Sequence, residues 1–498
     1  MRLTWLAYFL ALTSGAGSMA IEMTAARALS PFFGTSAFIW STIISVVMLY
    51  IFLGNWLGGR LAEQGWGLRK LAAVHVMAAA GIATISQPLI RLLYAVTPDL
   101  ALGSLSQLGV MLGSVMLLSL PVFLLAWTTP CLIEALTQEG FSAGLISGRI
   151  YGFSTMGGLL GTMLPTLFLI PLLGVRWTFW LTSLTLVLGA LALVWGQKVN
   201  RAEMVALGIY GLSLLFYLIP AASLDGVIHH SESAHNTIWV EEGAGHVDLL
   251  VNEREVIQSR LYKDPEKLPH DVWSLYTTGA FFSEGSQDKK VAFLGLAAGS
   301  AAHYYHRHFP GYQLTGVEID GALVEAGKTY FQLDEIPLDI VVADARAYMR
   351  STQSRFDVLI VDAFNFPYLP AHLSTVEFME ILRAKLNPGG VVLFNVGHYK
   401  SLRETVDVIG QTGLQVFAHA YEYAHPNGMN TLVYLTEHTL AKDWPLFRVE
   451  DNRVRSQALR VLMQLRPVAK KNTYISTDDR PLTEWFTHRI VLRAFGGG

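Results

Sequence analysis

The sequence predicts an α-helical membrane bundle followed by a doubly wound α/β domain that opens with a small antiparallel β unit. Three observations carry this: the distribution of charge, a series of long apolar runs, and a β/α alternation in the second half. The 498 residues are 52% hydrophobic and 15% charged, below the roughly 25% charged that is usual in soluble proteins. Residues 1–223 hold 16 charged side chains and residues 224–498 hold 59. The first part nets +4, leaving −7 of the total −3 for the second. An acidic soluble part argues against nucleic acid as a partner. The single cysteine, Cys131, lies in the apolar part, so neither a disulfide framework nor a cysteine metal site is expected. The expected division is a multi-span domain over 1–223, a β-hairpin subdomain over 224–285, an α/β domain over 286–440 and a C-terminal tail over 441–498.

A spanning helix needs about 20 mostly apolar residues. Seven segments qualify: 4–26, 37–58, 71–95, 105–129, 145–170, 177–196 and 203–220. The first contains Glu22, is followed at once by Arg27 and leads into further spans, unlike a cleaved signal peptide. Small residues recur in 54-GNWLGG-59 and 157-GGLLG-161, where paired glycines let helix backbones approach in lipid. Polar residues inside spans are costly and face a bundle interior or cavity. Glu22, Arg27, Asn55, His75 and Glu134 are those candidates. Glu22 and Arg27 read either as a polar site for a cationic substrate or as a pair within the bundle.

Behind a turn-rich linker, 221-AASLDG-226, the run 236–264 alternates apolar and polar residues with turn residues at Glu242-Gly243 and Asn252-Glu253. That pattern is a small antiparallel unit. Strands then read at 291–296, 313–320, 338–344, 356–364 and 390–396, with two more near 414–420 and 431–436, and helical stretches between most of them. Strands separated by helices imply a parallel, doubly wound sheet, with ligands outside the carboxyl ends of the strands.

The chemistry-bearing residues sit at those ends. In 295-GLAAGS-300, Gly295 and Gly299 permit tight turns and close backbone approach. Glu318 ends the second strand, where one carboxylate can take both hydroxyls of a ribose. Asp344, in 343-ADAR-346, ends the third and is placed to accept from an adenine amino group. Asp362, in 361-VDAF-364, ends the fourth. The loop is G-x-x-x-G-S rather than G-x-G-x-x-G, and no G-K-[S/T] follows, which disfavours a dinucleotide site and excludes a P-loop.

Carrying these motifs, residues 236–436 resemble the spermidine synthase (polyamine aminopropyltransferase) family, whose fold is Rossmann-like, of the class I methyltransferase type. The β unit ending in 256-VIQSR-260 is similar to that family's hairpin, with Gln258 at its glutamine. The motifs 294-LGLAAGS-300, 317-VEID-320, 343-ADAR-346 and 360-IVDAF-364 match its cofactor loop, ribose acid, adenine acid and catalytic aspartate. The segments 369-LPAHLSTVEF-378 and 14–36 resemble bacterial proteins that fuse such a domain to a membrane part. The resemblance implies S-adenosylmethionine or its decarboxylated form as co-substrate, no metal, and a small-molecule amine as acceptor. It places Gln258, Gly295, Gly299, Ser300, Glu318, Asp320, Asp344 and Ala345 at the cofactor, Asp362 at the chemistry, and Tyr276, Phe364, Tyr368 and His372 at the substrate. Phe366 belongs with the aromatic residues that would shield a sulfonium. The family's loop aspartate is replaced at or near Ala298, its second aspartate after Asp362 is lost to Ala363, Phe364 and Asn365, and its Tyr-Gln-Glu…His run is reduced to Tyr276.

Three readings follow: a membrane-anchored aminopropyltransferase; a methyltransferase or other S-adenosylmethionine-using enzyme on the same pocket; and a transporter or sensor whose nucleoside domain only binds. The lipid bilayer is an expected partner, as is a second copy of the chain. Nucleoside substrates place the soluble part in the cytoplasm at a bacterial inner membrane. The Lys/Arg bias places the N-terminus inside, which over seven spans would put the soluble part outside. Asp478 and Asp479, in 477-TDDRP-481, read as turn and cap residues.

Overall fold

The structure is a computed structural model of the chain. It describes residues 2–33, 37–66, 68–96, 105–194, 201–218, 226–233, 235–252, 257–284, 289–363, 369–398, 403–440, 451–471, 473–483 and 486. The chain divides into two compact units. The first comprises Met1–Ala101, Leu105–Asp225 and Ser231–Ala234, and the second Leu102–Ser104, Gly226–His230 and His235–Gly498.

The first unit is helical. Its elements are α1 (Arg2–Phe33), α2 (Ala37–Ala62), α3 (Leu68–Val96), α4 (Leu105–Ala126), α5 (Thr128–Gln138), α6 (Ala143–Leu164), α7 (Ile170–Val194) and α8 (Arg201–Leu218). A π-helical turn, Pro165–Leu169, joins α6 to α7, and Gly174 at φ 80° kinks α7. Among the described residues five segments are long and apolar enough to cross a membrane: Thr4–Ser30, Ile39–Ala62, Arg69–Leu93, Leu112–Gln138 and Ala143–Ala192. Many large apolar side chains on the helices of this unit are exposed, Trp5, Phe52, Leu172 and Leu212 among them.

The second unit opens with four strands, β1 (Val227–Glu232), β2 (Thr237–Glu242), β3 (His246–Val251) and β4 (Ile257–Tyr262), in one sheet of sequential order. β2, β3 and β4 pair antiparallel, as the alternation over 236–264 predicts; β1 was not read from the sequence. Two short helices follow, α9 (Val272–Leu275) and α10 (Thr278–Phe282). The main sheet takes β5 (Lys289–Leu294), β6 (Tyr312–Glu318), β7 (Leu338–Val342), β8 (Phe356–Val361), β9 (Leu386–Gly397), β10 (His419–Ala424), β11 (Asn430–Thr436) and β12 (Arg466–Pro467) in the order β12-β10-β11-β9-β8-β5-β6-β7. Interleaved are α11 (Ser300–His308), α12 (Gly321–Tyr330), α13 (Ala345–Ser351), α14 (Val376–Ala384), α15 (Glu404–Gly413) and α16 (Asn452–Gln464).

The five strands β5 to β9 are parallel, and every residue of β8 is buried, as expected of a strand covered on both faces. The sheet as a whole is mixed, not parallel throughout. β10 and β11 form a hairpin, because a short connection can only join antiparallel neighbours, and β11 lies between β10 and β9, antiparallel to both. The strand expected near 414–420 lies later, at His419–Ala424. Leu414 and Phe417, its expected start, are buried beside α15 in the layer that covers the sheet.

In the helical unit, α1 and α6 approach to backbone contact. A Cβ on Gly157 would lie 2.0 Å from the Leu12 carbonyl oxygen, one on Gly161 2.1 Å from that of Ala16, and one on Gly15 2.0 Å from that of Ser154. No side chain fits there, so the 157-GGLLG-161 pattern is a packing surface. Forcing atoms into such a contact costs about 1–3 kcal/mol or more. Gly157→Ala should therefore lower the detergent unfolding temperature clearly, while Gly152→Ala, where a Cβ meets nothing within 4 Å, should not. Equal melting of the two variants would contradict the α1–α6 contact.

Candidate active site

The site lies in the second unit, at the carboxyl ends of β5, β6 and β8. It is built first by backbone. β5 leaves the sheet at Gly295, which has φ 99°, and a Cβ there would lie 2.3 Å from the Asp362 carbonyl oxygen. Gly299, at φ 89°, caps α11, and a Cβ there would strike Leu333 at 2.3 Å. Between them Ala297 sits at φ 49°, in the left-handed region that a residue with a Cβ seldom enters. Its N–H donates to Glu318 Oε2 at 2.9 Å, so the carboxylate at the end of β6 holds the loop in this conformation.

Glu318 is 7% exposed. Its second oxygen accepts the Asp320 N–H at 3.1 Å. Two accepted hydrogen bonds leave about two of a carboxylate's four lone-pair directions open. Burial is the main cause that raises its pKa above the ordinary glutamate value, against the backbone N–H groups that lower it. Asp320 is spent locally. It caps α12 through Ala322 N–H at 3.1 Å and accepts from Asn236 Nδ2 at 2.8 Å, so it ties β6 to the β unit. Ser300 is also spent: it accepts the Arg260 N–H at 2.7 Å and donates to the Arg260 carbonyl at 3.0 Å. Both residues position the loop and Glu318.

Asp362 is the centre of the second group. Tyr276 donates its hydroxyl to Asp362 Oδ2 at 2.6 Å, and Asn395 Nδ2 donates to Oδ1 at 2.9 Å. Burial drives the Asp362 pKa up to about 6; the bonds from Tyr276 and Asn395 oppose this, and the nearby Glu318 charge adds to it. Burial and the neighbouring carboxylate likewise push the Tyr276 phenol well above its usual range, so it stays a donor. Among the described residues neither Asp362 nor Glu318 is ion-paired to a cation. A pocket opens beside Asp362, lined by Gln258, Trp273, Tyr276, Phe293, Leu296 and Ile360 together with the Gly295–Ala297 backbone and Ala301. Gln258 and Tyr276 are thus brought to Asp362 and the glycine loop. Phe364, Phe366 and Tyr368 lie outside the described residues.

Asp344 and His372 meet each other instead. Asp344 Oδ1 caps α13 through Ala347 N–H at 2.9 Å, and Oδ2 lies 2.9 Å from His372 Nε2. Burial works against the Asp344 charge, but the Ala347 N–H and His372 outweigh it and hold the pKa below the usual range. Ala345 is the buried first residue of α13. Arg346, next in the chain, is 6% exposed and makes a two-pronged ion pair with Asp478 at 2.7 and 2.6 Å. Asp478, read from the sequence as a turn residue, is therefore the counter-ion that pins the tail beside Asp344.

In the helical unit Glu22 is 5% exposed, but the structure brings neither nearby arginine to it. Arg27 donates to the carbonyl of Ser233, a residue of the same unit, and Arg149 to the Tyr8 hydroxyl at 3.3 Å. His75 Nδ1 lies 2.9 Å from the Leu71 carbonyl, and Glu134 accepts from Gln138, both ordinary bonds along a helix. Asn55 is half-buried. Sequence reasoning missed Asn395, a single polar residue inside an apolar strand, and Trp273. Among the described residues no group of three His, Cys, Asp or Glu side chains could hold a metal.

Residues 278–433 match the family model of the spermine/spermidine synthase domain. A probable polyamine aminopropyl transferase of Bifidobacterium longum is 30% identical over 274 residues, 53% of this chain and 56% of that protein. A polyamine aminopropyltransferase of Vibrio vulnificus is 25% identical over 218 residues, 42% of this chain and 71% of that protein. A probable spermidine synthase structure from Corynebacterium glutamicum aligns with TM-score 0.40 and 21% identity, covering 55% of this chain and 96% of that one. The chain thus spans just over half the length of the first of these relatives. Residues 278–433 of the second unit are thus similar to the spermine/spermidine synthase domain, and the relatives above are polyamine aminopropyltransferases, which are transferases.

Proposed function

We propose that the chain is a membrane-anchored aminopropyltransferase that moves an aminopropyl group from decarboxylated S-adenosylmethionine to a small amine, with Asp362 as proton acceptor. The observation that carries this is Asp362 itself. It is a buried carboxylate facing a pocket shared with the glycine loop, held by two neutral donors and by no cation among the described residues. The residues around the pocket fit an adenosyl sulfonium. The Glu318 carboxylate, with one backbone N–H on each oxygen, offers its remaining lone pairs to the ribose diol, and the Gly295 backbone lies so close to the Asp362 carbonyl that no side chain fits between the loop and the carboxylate's strand. Two unneutralised carboxylates favour a positively charged sulfur.

In the reaction the acceptor nitrogen attacks the carbon next to the sulfonium. The C–N bond forms as the C–S bond breaks, the electron pair stays on sulfur, and 5′-methylthioadenosine leaves. Before this attack Asp362 takes a proton from the protonated acceptor and frees its lone pair; the proton then passes to solvent, and the product leaves as the new ammonium. An amine with a pKa of about 10.4 is mostly protonated at neutral pH, so a carboxylate that orients it and takes a proton contributes positioning and base catalysis. The apolar helices of the first unit anchor the enzyme in a bilayer, and the supply of nucleoside substrate puts the soluble unit on the cytoplasmic side. One observation favours methyl transfer from intact S-adenosylmethionine on the same pocket: the loop offers a fully buried Ala298 where the aminopropyltransferase pattern has a carboxylate for the donor's amine.

Glu318→Gln keeps the size and removes the charge. Losing one charged hydrogen-bond partner costs about 1.5–3 kcal/mol, or roughly ten- to a hundred-fold in affinity. Calorimetry should show 5′-methylthioadenosine binding weakened by that factor; unchanged binding would remove Glu318 from the ribose site.

Asp362→Asn should keep nucleoside binding and lower kcat by about 10²–10⁴-fold, the usual range for a general base. With its pKa near 6, Asp362 is protonated and ineffective below that pH and ionised above it. Wild-type kcat should therefore rise through pH 6, and the variant should lack that limb. The gap between the two should narrow toward the acceptor's own pKa, where the amine is already neutral. Equal kcat across the range would take Asp362 out of the chemistry.

A further inference from the structure

Asp362 stands at the end of a line of amide groups that starts at a tight turn. The turn joins β10 to β11, and two of its backbone N–H groups, those of Met429 and Asn430, donate to Asn427 Oδ1 at 2.9 and 3.2 Å. A backbone N–H can only donate, so this contact settles which end of Asn427 is the oxygen. Asn427 Nδ2 then donates to Asn430 Oδ1 at 2.9 Å, and Asn430 Nδ2 to Asn395 Oδ1 at 3.0 Å. Asn395 Nδ2 in turn donates to Asp362 Oδ1 at 2.9 Å. A side-chain amide carries a donor end and an acceptor end of similar size, and each link fixes the next. The direction set by the turn is handed along three asparagines to the carboxylate.

A free asparagine beside a carboxyl group follows the proton. It donates when the carboxyl is ionised and turns over to accept when the carboxyl is protonated. Asn395 cannot turn over without breaking its bond from Asn430. Its 7% exposure leaves little access for water to replace that partner. A donor that cannot reverse bonds the ionised carboxylate more strongly than the carbonyl oxygen of the protonated form, and so favours the charged form.

We propose that Asn430 is a positioning residue for Asp362: through Asn395 it locks a hydrogen-bond donor onto the carboxylate and so favours its ionised form. The use of this lock in catalysis rests on the reading of Asp362 as proton acceptor; the lock itself can be measured without turnover. The titratable groups that act on Asp362 are Tyr276, which follows α9, and Glu318 from the end of β6. Gly295 from the end of β5 and Asn395 from β9 are neutral. Of these groups only Asn395 is bonded to Asn430.

The test is an infrared titration of the full chain in detergent. The Asp362 carboxyl band is isolated in each protein by subtracting its Asp362→Asn counterpart. Asn430→Leu removes the donor at similar volume, with Asn430→Ala as the second choice should Leu fail to fold. Asn430→Ser keeps a hydroxyl that can donate to Asn395. Thermal unfolding identifies the folded variants. In Asn430→Leu or Asn430→Ala the Asp362 midpoint should move up by about one pH unit, a tenfold change in proton affinity. The acid limb of kcat should move with it, and KM should stay near the wild-type value. Asn430→Ser should titrate close to wild type. An unchanged midpoint in the apolar variants, or an equal rise in Asn430→Ser, would overturn the lock. Undiminished turnover in Asp362→Asn would instead strike at Asp362 as base, and the titration would still decide the lock.

Discussion

The site depends on one close approach between two pieces of backbone. Where β5 and β8 leave the sheet side by side, the Asp362 N–H reaches the Leu294 carbonyl at 2.9 Å, and the chain at Gly295 passes so near the Asp362 carbonyl that no Cβ fits. That contact sets the distance between the glycine loop and the Asp362 carboxylate. Everything else adjusts to it. Ala297 takes a left-handed conformation and pays part of the strain back through its bond to Glu318. Ser300 binds both backbone groups of Arg260 and so fixes the loop to β4. Asp320 fixes β6 to the start of β2 through Asn236.

The electrostatics follow from the same crowding. Glu318 and Asp362 are buried near each other, and burial disfavours both charges. A cation could have neutralised either one; the described residues supply neutral donors instead. Those donors support an ionised carboxylate without cancelling its field. A charge held by hydrogen bonds alone is available to an incoming cation, which is what a sulfonium and a protonating amine present. A lysine or arginine in the same place would have made a stable pair and an inert site. The contrast is visible at the start of α13, where Arg346 and Asp478 satisfy each other and serve to hold the tail.

Much of this was legible in the sequence, because parallel strands buried on both faces read as apolar runs that stop at a polar residue. Glu318 and Asp362 each follow such a run and Gly295 another, while Asp344 follows the edge strand β7, whose residues are only partly covered. The parts that were not legible depend on neighbours distant in sequence. Asn395 and Asn430 are far apart in the chain, and only the antiparallel pairing of β9 with β11 sets them diagonally across from each other. Ser300 and Asp320 look like ligand residues by position, yet their hydrogen bonds run to the β unit. His372, the fourth residue of its own motif, meets Asp344 and not Asp362. Asp478 sits in a turn-like pentapeptide, and nothing local announces its arginine. The strand at 419–424 was misplaced because Leu414 and Phe417 are apolar for the sake of the layer covering the sheet.

The central claim is that this pocket transfers an aminopropyl group. The most direct measurement is mass spectrometry of the products formed by the purified full chain from each of the two donors, decarboxylated and intact S-adenosylmethionine, with a panel of amines. The account predicts 5′-methylthioadenosine and an amine lengthened by one aminopropyl unit, from the decarboxylated donor only. S-adenosylhomocysteine with a methylated acceptor from the intact donor, and no turnover of the decarboxylated one, would contradict it.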